Sequence, residues 1–247
     1  MFSPMKKGKK IIIGILVVLL SLTSAFWVYT LDYYHADKSA LEATSIVSGV
    51  TITQVNGALV YDPGHADTAL IFYPGGKVEY SAYQPLMIQI AQQGILCILP
   101  RMPLNLAVFN IRAADPFMAE NQSITHWYVG GHSLGGSMAA SYAASHATQV
   151  DGLVLLASYS TADLASSGLR ALSIYGDQDG VLNLTSYQKY RKNLPADLVE
   201  IILPGGNHAG FGNYGPQKGE GSATMTPKQQ QQKTAQAIAE FFASSTR

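Results

Sequence analysis

The stretch Trp127-Tyr128-Val129-Gly130-Gly131-His132-Ser133-Leu134-Gly135-Gly136 constrains this chain more than any other. An apolar run enters it, and Trp127 to Val129 reads as a short buried strand. An alanine-rich run from Ser137 to Ala144 leaves it and favours helix. Gly131-x-Ser133-x-Gly135 stands between them. A strand that turns this sharply into a helix forces the turn residue into strained backbone angles. Its neighbours must be small, and glycine has no Cβ to collide. The product is a serine hydroxyl raised on a tight elbow, with a helix N-terminus behind it. The bland alternative is a glycine-rich turn with an incidental serine; the partners found below weigh against it.

The rest of the chain supplies a scaffold for such an elbow. Val50 to Thr53 and Ala58 to Tyr61 read as a hairpin turning at Asn56-Gly57. Ala69 to Tyr73 is a continuous apolar run ended by Pro74-Gly75-Gly76, and Ile95 to Leu99 is another. Tyr83 to Gln93 has helical spacing and stops at Gly94. A helix is expected within Leu104 to Asn121, with Asp115-Pro116 as a candidate break. After the elbow helix, strands are expected at Leu153 to Ala157, Leu172 to Tyr175 and Leu198 to Leu203. Helices are expected at Leu184 to Asn193 and Pro227 to Phe242. This alternation predicts an α/β domain: a mostly parallel sheet flanked by helices on both faces, with an antiparallel edge from the hairpin. About a dozen residues separate the strand ending at Ala157 from the one at Leu172, which leaves no room for a lid domain. The loop from Asn207 to Thr226 is the segment expected to cover part of the site.

A serine hydroxyl is a poor nucleophile at neutral pH and needs an adjacent base, which in turn needs an orienting group. In open parallel sheets such groups gather at the carboxyl ends of strands. Of six histidines, His35 lies by the N-terminal segment, His65 in an early turn, and His126 at the wrong end of the elbow strand. His132 lies inside the elbow, directed away from the hydroxyl, and His146 ends the following helix. Only His208, in Gly205-Gly206-Asn207-His208-Ala209-Gly210, follows a later strand. Asp177 and Asp179 both follow the strand before it; Asp179 is favoured as the acid and Asp177 as the turn-former. The order Ser133, Asp179, His208 is one known for such triads. The expected oxyanion donors are the backbone N–H of Leu134 and that of Gly76, with Lys77 as the neighbour able to replace it. This chemistry calls for no cofactor and no metal.

The N-terminus is different in kind. Lys6, Lys7, Lys9 and Lys10 precede an uncharged stretch from Ile11 to Leu31. Those 21 residues reach roughly 30 Å as helix, the thickness of a bilayer core. Phe26, Trp27, Tyr29, Tyr33 and Tyr34 cluster at the far end, as in an interfacial aromatic belt. The expectation is a basic cytoplasmic terminus over 1–10, a transmembrane signal-anchor over 11–31, a stalk or first helix over 32–47 and a catalytic domain over 48–247 outside the membrane. A cleaved signal peptide with Thr23-Ser24-Ala25 as its site is the competing reading. Lys+Arg and Asp+Glu balance at 16 each, so no charge excess points to nucleic acid. The single cysteine, Cys97, lies in an apolar run and permits no intramolecular disulfide.

Several motifs stand in order: Pro74-Gly75-Gly76-Lys77-Val78, Met102 to Ala107, Gly131 to Gly136, Gly205 to Ala209 and Phe211 to Gln217. Together they resemble a bacterial α/β-hydrolase family near the dienelactone-hydrolase and carboxylesterase branches, over nearly everything after Val50. The resemblance implies the α/β-hydrolase fold and a Ser133–His208–Asp179 triad. One departure is Pro74, where a histidine often precedes the oxyanion glycine in the wider superfamily. The resulting expectation is a serine hydrolase acting on a small-molecule ester. Alternatives are a thioesterase, peptidase or acyltransferase on the same triad, or a catalytically silent cell-surface binding module.

Overall fold

The computed structural model describes residues 7–42 and 49–244. Residues 43–48 of the expected stalk, with the two chain termini, lie outside the described residues. The chain divides into two units, Met1–Tyr33 and Tyr34–Arg247.

The first unit holds α1, Lys7–Leu31, a single helix of 25 residues. Its most apolar window has a mean hydropathy of 2.6 and is wholly unburied. At 1.5 Å per residue it is about 37 Å long, sufficient in length and composition to cross a membrane.

The second unit is built on one eight-stranded sheet. Its strands are β1 Thr51–Val55, β2 Ala58–Asp62, β3 Thr68–Tyr73, β4 Leu96–Pro100, β5 His126–His132, β6 Gly152–Leu156, β7 Arg170–Gly176 and β8 Asp197–Leu203. The spatial order is β1-β2-β4-β3-β5-β6-β7-β8. β1 and β2 form the expected hairpin, and β2 runs antiparallel to β4. Asn56 and Gly57 both have positive φ, 49° and 77°, the backbone that a two-residue turn between right-twisted strands requires. From β4 to β8 every pairing is parallel.

The helices are α2 Lys38–Glu42, α3 Gln84–Ala91, α4 Asp115–Glu120, α5 Leu134–Ser145, α6 Leu184–Tyr190 and α7 Pro227–Ala243. Side chains alternate along a strand, so each central strand feeds two cores. Leu70 and Phe72 of β3 join Leu86 and Met87 of α3 and Ile238 and Phe241 of α7. Ala69, Ile71 and Tyr73 point the other way, to Phe117 of α4 and Ala139, Ala140 and Ala143 of α5. Every residue of β4 and β6 is buried, which explains why those runs are apolar without alternation.

One expectation is corrected. Pro116 does not break a long helix; it lies in the first turn of α4, where its missing N–H has no intrahelical partner to lose. The segment before it is a pair of 3₁₀ turns, Pro103–Asn105 and Ala107–Phe109. Tyr34 to Glu42, in the segment expected as a stalk or first helix, bonds to loops of the domain and carries α2. Tyr34 donates its N–H to Lys77 O at 2.7 Å and accepts from Glu79 N–H at 2.9 Å. Asp37 N–H bonds to Asn213 O at 2.8 Å. Backbone polar groups of the two segments satisfy one another there.

Candidate active site

Ser133 stands between β5 and α5 with φ 52° and ψ −123°. A non-glycine residue there costs of order 1–3 kcal/mol and persists only where its surroundings over-determine it. They do. Ser133 N–H bonds to Leu156 O at 2.9 Å, and Ser158 Oγ donates to Ser133 O at 2.7 Å. The flanking glycines are required by contact. A Cβ on Gly131 would lie 2.5 Å from Tyr73 O and one on Gly136 2.7 Å from Ser158 Oγ, while one on Gly135 would overlap the carbonyls of Tyr73 and Pro74.

The strands β7 and β8 end side by side, and their exits are tied together. Gly205 N–H donates to Asp177 Oδ1 at 2.7 Å, and Gln178 N–H to Gly206 O at 2.9 Å. Gly205 takes φ 77° to make this turn. Asp177 is thus occupied in the turn. Asp179 lies one turn on and accepts three hydrogen bonds. Val181 and Leu182 N–H reach its Oδ1, both at 2.8 Å, and His208 Nδ1 lies 2.8 Å from its Oδ2. Both partners of that last bond are almost wholly buried. Gln230 of α7 grips the His208 loop twice, accepting from Asn207 N–H at 3.0 Å and donating to Asn207 O at 2.7 Å. Glu220 holds it from the other side through Ala209 N–H at 2.9 Å.

His208 Nε2 is buried and has no hydrogen-bond partner among the described residues. Buried nitrogens are rarely left so, and such orphans concentrate at functional sites. His208 and Ser133 line one cavity of about 250 Å³, with Leu134, Ser137, Tyr159 and Val181 among its other walls. The structure therefore brings Ser133, Asp179 and His208 to the carboxyl ends of β5, β7 and β8. No residue of 209–226 lines this cavity. The loop expected to cover the site instead buttresses the Asp179 turn from behind, with Gly221 N–H bonded to Gln178 O at 3.0 Å. Thirteen residues, 157–169, join β6 to β7.

The loop after β3 brings Gly76 beside Leu134; a Cβ on Gly76 would lie 2.8 Å from Leu134 Cδ2. Leu134 opens α5, so its N–H belongs to the donors a helix leaves without intrahelical partners. Lys77, the expected substitute donor, has φ 58° and spends its N–H on Asn105 O at 2.8 Å.

Tyr83 was given no role in the sequence, and His132 was set aside there. The Tyr83 hydroxyl accepts from Gly75 N–H at 3.0 Å and lies 2.8 Å from His132 Nδ1. His132 does not line the cavity that holds Ser133, but its ring lies 4.4 Å from that of His208. Burial pushes the Tyr83 phenol up and holds His132 well below the usual imidazole value, with His208 adding to the latter. No spacing rule joins Tyr83 to His132; only the packing of α3 against the sheet does.

With this geometry in view, the chain can be placed among known proteins. Residues 69–232 match the model of the alpha/beta hydrolase family, and the chain belongs to that family. No curated protein matches. Among solved structures it is similar to a dienelactone hydrolase from Anabaena variabilis, at 17% identity and a TM-score of 0.60, covering 79% of this chain and 98% of that one. It is also similar to an α/β hydrolase from a lagoon-sediment metagenome, at 14% identity and a TM-score of 0.59, covering 80% and 100%. A bacterial membrane phospholipase A aligns over 96% of this chain and 98% of its own, at 12% identity and a TM-score of 0.57. These neighbours share the fold, and the chain is a hydrolase by family.

Proposed function

We propose that this protein is a serine hydrolase that cleaves carboxylic esters with Ser133, His208 and Asp179. The observation that carries the reading is the buried 2.8 Å pair between Asp179 and His208, beside a strained serine in the same cavity. Ser133 Oγ attacks the acyl carbon while His208 Nε2 takes its proton. Asp179 fixes the imidazole with its proton on Nδ1 and stabilises the charged ring. The developing oxyanion is met by the N–H groups of Leu134 and Gly76, each worth about 3 kcal/mol of transition-state stabilisation. His208 then protonates the leaving alcohol, and water releases the acyl group by the same steps in reverse roles. The substrate is a small ester. Residues 11–31 anchor the chain in the membrane, and the domain lies on its outer face.

A fluorophosphonate probe tests this directly. The wild-type chain is expected to be labelled at Ser133 and to hydrolyse p-nitrophenyl esters, and Ser133→Ala to do neither while keeping its fold. A folded wild type that resists the probe and turns over no activated ester would refute the reading and leave a binding module.

A further inference from the structure

His132 is the buried titratable group that this chemistry leaves without a task. It has no exposed surface. Burial keeps it neutral, and His208 opposes a second charge beside it. A neutral imidazole offers one donor and one acceptor. The Tyr83 hydroxyl, kept a phenol by its own burial, has already accepted from Gly75 N–H. The same hydroxyl lies 2.8 Å from His132 Nδ1, which meets it as acceptor or donor according to the imidazole tautomer.

The ring is held on several sides. His208 lies 4.4 Å from it at an interplanar angle of 53°, and Phe211 lies 5.6 Å from it. Tyr83 is itself packed between Phe72 at 5.4 Å and Tyr214 at 6.4 Å. The approach depends on Gly75. A Cβ there would lie 2.6 Å from the Tyr83 oxygen and 2.8 Å from His132 Nδ1.

Resting on the hydrolase reading above, we propose that Tyr83 and His132 are positioning residues: one buried hydroxyl sets the oxyanion loop through Gly75 and the plane of the base through His132. The two halves of the site come from distant parts of the chain, one after β3 and one after β8, and this pair joins them. Neither residue touches substrate. Both act on groups that matter most in the transition state, so their loss falls on kcat rather than KM.

The test uses the full chain with Tyr83→Phe, His132→Gln and the double variant. It measures kcat and KM on p-nitrophenyl butyrate, the fluorophosphonate labelling rate and thermal unfolding. Tyr83→Phe is expected to lower kcat and the labelling rate about tenfold to a hundredfold, the scale of a small misplacement, with KM moving less than about threefold. His132→Gln keeps an acceptor for the hydroxyl but removes the ring beside His208, so it is expected to lose kcat in the same way. The double variant is expected to be no slower than Tyr83→Phe alone, because both act through one linkage. Unchanged kcat in a folded variant, or losses that multiply, would overturn the proposal. If Tyr83→Phe does not fold, His132→Gln decides: a loss of kcat at constant KM supports the proposal, and unchanged kcat and labelling overturn it. A wild type that is neither labelled nor active refutes the hydrolase reading, a different result from a labelled wild type with unaffected variants.

Discussion

Replacing Asp179 by asparagine separates the roles of two aspartates that are one residue apart. Asp179 Oδ1 accepts Val181 and Leu182 N–H, and Oδ2 meets His208 Nδ1, all at 2.8 Å. An asparagine oxygen can keep both backbone bonds, so the turn survives. Its amide NH₂ then faces Nδ1 and donates to it. Nδ1 becomes an acceptor, the ring proton moves to Nε2, and Nε2 can no longer take the proton of Ser133. Loss of the correct tautomer is worth roughly 10⁴ in kcat, or about 5.5 kcal/mol of barrier. Loss of the charge from three charge-assisted bonds costs only about 1–3 kcal/mol of stability. Asp177 accepts from Gly205 N–H at 2.7 Å and from Gln178 Nε2 at 3.1 Å and meets no histidine. Asp177→Asn is expected to cost about 1 kcal/mol of stability and to leave kcat within about threefold. The assay is kcat on a neutral ester beside thermal unfolding of each variant. A folded Asp179→Asn retaining a tenth or more of the activity would refute the assignment; a folded but inactive Asp177→Asn would transfer the role.

Three further outcomes are expected. Ser133→Gly should raise the thermal midpoint while abolishing turnover, because glycine adopts φ 52° without strain and the relief is worth about 1–2 kcal/mol; a lower midpoint would contradict the strain argument. Burial raises the phenols of Tyr61, Tyr73, Tyr83 and Tyr187 above the ordinary 10.0. The folded state therefore keeps protons that the unfolded state gives up. This stability is fully present below pH 10 and is lost as the pH rises further, so alkaline unfolding should coincide with tyrosinate absorbance; early tyrosinate formation in the folded protein would show that these rings are not buried. The full chain should sediment with membranes and be released by detergent but not by salt, as an apolar helix of 25 residues requires; recovery in the soluble fraction would remove the anchor.

The sequence by itself determined the local elements of this protein. Continuous apolar runs marked β3, β4 and β6, because strands buried on both faces carry no polar register. Gly131-x-Ser133-x-Gly135 announced the elbow, because only glycines leave room for the carbonyls of Tyr73 and Pro74 that crowd it. Chain order singled out His208 as the candidate base and, of two aspartates, favoured Asp179 as its partner. What lies between elements was not legible. Tyr34 to Glu42 pairs with loops far along the chain, and no local pattern records such a bond. The loop after Asn207 supports the Asp179 turn rather than covering the cavity. His132 read as a residue turned away from the serine; that its ring lies against His208 depends on where β8 ends relative to β5. That the Asp179 carboxylate reaches the His208 ring at 2.8 Å while Asp177 stays in the turn is seen only in the folded chain. The physical reason is the same in each case. Periodicity and turn chemistry act over a few residues, whereas hydrogen bonds between loops form only after the sheet has fixed the strand ends that carry them.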